Sequence, residues 1–127
     1  MIQIDASKKR REYRRIESTL PILYQPNIHQ KWSMSVIKSL GIGGLCIISS
    51  EYLRNGTILK LRFLLPGSQV NVNAAGEVLW SGFMIDKKLF ESGVRFLRLD
   101  KIGTELISNY VDEALSPQSG ISEIQAN

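Results

Sequence analysis

The chain has one cysteine, Cys46, and one histidine, His29, so it can form no internal disulfide and cannot assemble the ligand set of a structural zinc. Without such staples the fold must be held by its own core. No apolar run approaches the roughly 18 residues that span a bilayer, and the opening MIQIDASKKRR lacks the apolar stretch of a secretory leader. A cytoplasmic location is the resulting expectation. His29 has no serine, cysteine or carboxylate at a spacing that suggests a triad, and Asp86, Asp112 and Glu113 lack a partner pattern for acid-base work, so nothing points to an enzyme. What is present suits one domain: 127 residues, 43% of them hydrophobic and 22% charged, with enough apolar content to offset the entropy of ordering a single core.

The net charge of +4 is concentrated at one end. Residues 1–15 hold Lys8, Lys9, Arg10, Arg11, Arg14 and Arg15 against Asp5 and Glu12, and the ten basic and ten acidic residues elsewhere cancel. This stretch reads as a flexible basic arm of the kind that attracts phosphate. Within it Arg11 and Arg15 stand four apart, and Arg10 and Arg14 repeat the spacing. Residues four apart share a side in a helix or an extended chain, so two guanidinium groups can converge on one ligand. Arginine suits that work because its planar fork donates bidentately to phosphate or to a guanine edge and also stacks on a base.

Beyond the arm, six segments bounded by turn residues read as strands: Ser18–Tyr24, Lys31–Ile37, Leu45–Ser49, Ile58–Leu64, Val70–Phe83 and Leu89–Leu99. Pro21 suggests an edge or entry position for the first. In Lys31–Ile37, Trp32, Met34 and Val36 alternate with Ser33 and Ser35, which predicts a half-buried strand with Trp32 in the core. Gly41, Gly43 and Gly44 permit a tight or positive-φ hairpin connection, and Gly76 suggests a bulge. Lys60 and Arg62 fall opposite Leu59, Leu61 and Phe63 and read as surface charges. Arg95 and Arg98 read as paired surface charges too, or as an extension of a basic surface. Cys46 reads as a small buried hydrophobe. Trp80 reads as buried along the wall, with packing on a bound base as the alternative. From Lys101 to Leu115 the period changes, and Ile102, Leu106, Ile107, Tyr110, Val111 and Leu115 recur on one helical face, with Asp100 or Thr104 as cap. The pattern predicts an all-β dominated fold: a six-stranded antiparallel barrel with one C-terminal helix over residues 16–115, followed by a mobile tail, 116–127.

The arginine arm, S-L-G-I-G-G at 39–44, G-E-V-L-W at 76–80, E-S-G-V-R-F at 91–96 and the closing helix follow in this order. In that combination the chain resembles a PilZ domain, roughly from Arg10 to Ala114. The family has an RxxxR motif in an N-terminal switch loop and a [D/N]xSxxG motif some twenty to thirty residues later on a six-stranded barrel. Ser39 follows Arg15 by 24 positions, in keeping with that spacing. The resemblance implies a bacterial cytoplasmic receptor for cyclic di-GMP that relays its signal to an unidentified partner protein in motility, biofilm or secretion control. By position, Arg11 and Arg15 look like the clamp, Arg10 and Arg14 like helpers, and Ser39, Gly41 and Gly44 like the second motif.

Two of those positions depart from the pattern. Ser39 stands in place of the acidic or amide residue, and Gly41 in place of the serine hydroxyl. An ionised acceptor contributes about 1.5 to 3 kcal/mol and a neutral hydrogen bond about 1, so the two changes together predict ten- to hundredfold weaker binding, at about 1.4 kcal/mol per decade. The alternative reading is a degenerate PilZ-like interaction module that binds no cyclic di-GMP. Single-stranded nucleic acid is disfavoured as a partner, because most aromatic residues sit at apolar phases and the chain beyond the arm is neutral.

Overall fold

The computed structural model describes residues 15–115, so the arm up to Arg14 and the tail 116–127 lie outside the described residues. Six strands, β1 (Arg15–Gln25), β2 (Ser33–Gly41), β3 (Gly44–Ser49), β4 (Ile58–Leu64), β5 (Asn71–Met84) and β6 (Leu89–Leu99), precede one helix, α1 (Lys101–Leu115). They form a closed antiparallel barrel in the order β1-β2-β3-β6-β5-β4. Closure comes from the pairing of β1 with β4, Ile22 opposite Phe63 through Gln25 opposite Lys60. β1 is therefore paired on both sides and is not the edge strand that Pro21 suggests; Pro21 opposes Val36 of β2 and lies just outside the β4 ladder, from which its missing amide removes no hydrogen bond. The β5–β6 register shifts between Ala75 and Gly76, the bulge that Gly76 signals in the sequence.

The apolar phase of β2 is the reverse of the sequence expectation. Met34 is 77% exposed and Val36 39%, whereas Ser35 is buried beside Ile37. The cause is the neighbouring strand. Directly opposed residues of an antiparallel pair share a face, and Ser33 and Ser35 oppose Tyr24 and Ile22, both buried. Tyr24 is one of the largest fully buried side chains, and a small residue, Ser33, stands opposite it. The Tyr24 hydroxyl donates to Glu51 Oε2 at 2.5 Å, and Ser35 Oγ donates to the Ile48 carbonyl, so the polar atoms are satisfied. Burial is the largest cause, and the Glu51 contact the next, of the raised pKa of the Tyr24 phenol. Trp32 is accordingly not core. It is half-buried outside the barrel, beneath the Arg62 guanidinium at 4.8 Å.

Of the two alternatives for the hairpin glycines the tight connection holds, with β2 ending at Gly41 and β3 starting at Gly44, and positive φ does not. The described residues with left-handed backbone are Gly56 (φ 88°), Gly67 (φ 82°) and Lys88 (φ 56°), not those of the β2–β3 turn. Gly44 is needed for close approach instead: a Cβ there would lie 2.1 Å from the Val94 carbonyl oxygen. Helix α1 starts where Asp100 Oδ1 accepts the Gly103 amide at 2.6 Å. It packs on β1, β2 and β5 and places Ile107 and Val111 in the barrel core, each contributing roughly 1.5 to 3 kcal/mol by burial. Ile102 and Leu115, read as part of the same face, are exposed. None of the described helices is long and apolar enough to cross a membrane.

Candidate functional site

Cross-strand pairing assembles the sequence candidates into two neighbouring rows on the outside of the barrel. In the first, Arg15 opposes Gly41, Gly44 opposes Arg95, and Arg95 opposes Glu77. In the second, Glu17 opposes Ser39, Ser39 opposes Cys46, Cys46 opposes Gly93, and Gly93 opposes Trp80. Ile16, Leu40, Leu45 and Val94, which alternate with these residues, are buried in the core. Arg15, Ser39, Gly41, Gly44 and Trp80 therefore share one outer face. Arg10, Arg11 and Arg14 lie outside the described residues. Arg15, read as the end of the arm, is the first residue of β1 and is exposed.

A cleft of about 630 Å³ opens beside the first row, lined by Arg15, Ile42, Gly43, Arg95, Phe96, Leu97, Arg98, Leu99 and Thr104. Its volume is in the range that holds a small organic ligand. Of the expected site residues among those described, only Arg15 lines it, with Ser39, Gly41, Gly44 and Trp80 outside its lining; the Gly43 carbonyl accepts the Phe96 amide at 2.9 Å, tying the hairpin turn to β6. Arg95 donates from Nε (2.9 Å) and Nη2 (2.7 Å) to Glu77 Oε1, the pairing expected of it, and this aims the guanidinium. Among the described residues no carboxylate forms a salt bridge to Arg98. Ile42 and Gly43 carry no site signal in the sequence, whereas Arg95 and Arg98 read there as paired surface charges or an extension of a basic surface. Alternation placed the two arginines outward, but only the β3–β6 pairing brings them to the hairpin.

Trp80 is 45% exposed, contrary to the expectation of burial. Its indole lies over Gly93, where a Cβ would approach Nε1 to 2.0 Å. The expectation for Cys46 holds: it is buried, with Sγ 3.3 Å from Glu91 Oε2. Burial first, then the Glu91 contact, pushes its thiol pKa up to about 12. A thiol held protonated is a poor nucleophile. In the folded chain at pH 8 Cys46 is expected to react with Ellman's reagent only as fast as the barrel opens, and at full rate in denaturant. Rapid labelling of the native chain would contradict this.

Lys38 Nζ donates to Glu91 Oε2 at 2.9 Å. This contact, the largest cause, lowers the Glu91 pKa, and the same contact raises that of Lys38. A carboxylate with a depressed folded value adds stability above its unfolded pKa, about 4.3, and loses it as pH falls through the folded value. For Lys38 the contribution is present below about 10.4 and is lost as pH rises through its raised value. Both side chains keep solvent contact, 48% and 23% exposed, so the effect is small. Glu91→Gln is expected to melt slightly earlier than the parent between pH 6 and 9, with the gap closing below about pH 4. Thermal melts followed by circular dichroism check this.

The family model described as PilZ domain matches residues 9–113. Among solved structures, the Bacillus subtilis inhibitor of motility MotI/DgrA aligns with a TM-score of 0.73 at 15% identity, over 85% of this chain and 53% of that one. The Borreliella burgdorferi PlzA protein in complex with c-di-GMP gives 0.62 at 18% identity, over 86% and 44%. The PilZ domain with c-di-GMP of YcgR from Escherichia coli gives 0.64 at 14% identity, over 93% and 98%. At these identities the likeness is one of fold. The chain spans about half the length of MotI and PlzA. No curated protein matches the sequence.

Proposed function

This chain belongs to the PilZ domain family, and on that premise we propose that it is a cyclic di-GMP receptor that relays ligand occupancy to a partner protein in motility, biofilm or secretion control. The observation that carries the reading is the cationic cleft between Arg15, the β2–β3 hairpin and β6. Arg15, the second arginine of the RxxxR motif, lines this cleft at the start of β1, and Arg11 precedes it by four residues in the sequence. In this reading Arg11 and Arg15 supply guanidinium forks for phosphate and guanine, Arg10 and Arg14 assist, and Arg95 and Arg98 complete the positive wall. Ser39 accepts a guanine hydrogen bond, Gly41 and Gly44 let the ligand lie against backbone, and the exposed Trp80 face is open to a base.

Calorimetric titration with cyclic di-GMP tests the reading, with GMP as control. Saturable heat from the cyclic dinucleotide alone supports it. Ser39 and Gly41, which lack the family's acceptor and hydroxyl, favour the second reading, a PilZ interaction module without ligand. Absence of heat at millimolar cyclic di-GMP would establish that reading instead.

A further inference from the structure

The outer face of β1, β2, β4 and β5, next to the cleft, has two contiguous hollows of different character. The first, about 310 Å³, has an alanine floor. Pairing of Lys60 with Ala75 and of Ala75 with Arg98 sets two cations on either side of it, and Arg62 is a third. Among the described residues none of these three forms a salt bridge with a carboxylate. Arg62 is instead held by a neutral acceptor, Asn73 Oδ1, at 3.0 Å and by the Trp32 ring. The second hollow, about 360 Å³, is mostly apolar, with Leu23, Met34 and Leu64 in its lining and Arg62 on its rim. Met34 is 77% exposed and Leu64 46%. Methionine, tryptophan and arginine are the residue types enriched at protein interfaces, and an apolar patch rimmed by charge marks a contact site.

We propose that this face docks an extended segment of a partner protein that carries acidic residues at two alternate positions and apolar residues at the next two alternate positions, so that all four side chains point to the same side. Charge complementarity selects the acidic residues. Lys60 and Arg62 are two apart on β4 and so stand about 6.6 Å apart on one face, the spacing of alternate side chains in an extended peptide. The apolar half excludes a polyphosphate chain as the better occupant, since Leu23, Met34 and Leu64 offer it nothing. Arg98 lines this face and the nucleotide cleft as well, so ligand and partner draw on one side chain. That coupling, though not the docking face itself, rests on the receptor reading above.

The test is fluorescence anisotropy with a fluorescein-labelled octapeptide Glu-Ser-Glu-Ser-Leu-Ser-Leu-Ser, whose Glu and Leu side chains share one side in an extended chain, and its Gln-for-Glu counterpart as control. Titrations use the full chain, its Lys60→Glu/Arg62→Glu double variant and Met34→Ser, with melting curves confirming the fold. The acidic peptide is expected to bind the parent chain and to lose at least about tenfold in affinity in each variant, with the Gln peptide equally weak. Equal affinity for both peptides, no binding, or no loss in the variants overturns the proposal; the last result would assign the peptide to the basic arm. Tighter binding of an oligothymidylate of equal charge, lost in the same variants, overturns it in favour of nucleic acid. Repeating the titration with saturating cyclic di-GMP tests the coupling separately: an unchanged affinity removes Arg98 as the link and leaves the docking face standing. Nucleotide heat measured on the same sample keeps failure of the receptor reading distinguishable.

Discussion

Replacing Arg15 by alanine is expected to weaken cyclic di-GMP binding about ten- to hundredfold while leaving the melting temperature within about 4 °C of the parent. The side chain is exposed at the first position of β1, so its removal opens no cavity and breaks no core contact. Its partner across the ladder is Gly41, which has no side chain to compensate. What disappears is a guanidinium fork beside a cleft that already holds Arg95 and Arg98. A hydrogen bond to a charged group is worth about 1.5 to 3 kcal/mol, and each 1.4 kcal/mol is tenfold. Arg15→Lys keeps the charge but not the planar fork and is expected to recover only part of the loss. Calorimetry at one fixed salt concentration measures all three chains. Equal affinities for parent and Arg15→Ala would remove the arginine clamp from the mechanism.

The opposite change should result from restoring the second motif. The double variant Ser39→Asn/Gly41→Ser is expected to bind cyclic di-GMP ten- to hundredfold more tightly than the parent, reversing the deficit set by those two positions (about 1 to 3 kcal/mol). The structure chooses asparagine over aspartate. Ser39 opposes Glu17 on the outer face, and a second carboxylate there would meet a like charge directly across the strands, costing about 0.2 to 1 kcal/mol. Asparagine presents an amide edge to guanine without that repulsion. Gly41 lies in β2 and is not among the residues with left-handed backbone, so serine at this position meets no conformational barrier. Parent and variant titrated side by side give the ratio. An unchanged affinity would mean that Ser39 and Gly41 do not face the ligand.

Much of the fold is legible in the sequence because its signals are local. Lys60 and Arg62 alternating with Leu59, Leu61 and Phe63 mark β4 with its ends, and Ile107 and Val111 at helical spacing mark the buried side of α1. The β2 phase was not legible, because serine and methionine at alternate positions carry opposite local and tertiary meanings. Locally Met34 is the apolar residue and belongs inside. In the barrel the space opposite Ser33 is taken by Tyr24, whose place is set by the pairing of β1 with β2 and β4. Trp32 and Trp80 fail as core residues for a related reason. Each has a specific outer support, the Arg62 guanidinium over one and Gly93 beneath the other, and no local periodicity reports either.

The candidate site divides in the same way. Composition and spacing alone determined the basic arm, the glycine hairpin, the six strands and the helix, since charge, backbone freedom and apolar period are properties of short stretches of chain. Closure of the barrel decided everything that depends on distant strands becoming neighbours. It set Arg95 beside Gly44, opened a cleft next to Arg15, and aligned Lys60 with Arg98 across Ala75. A hydrogen-bond ladder fixes which residues oppose one another only when both strands are in place, and that register is the information a single chain read in order does not contain.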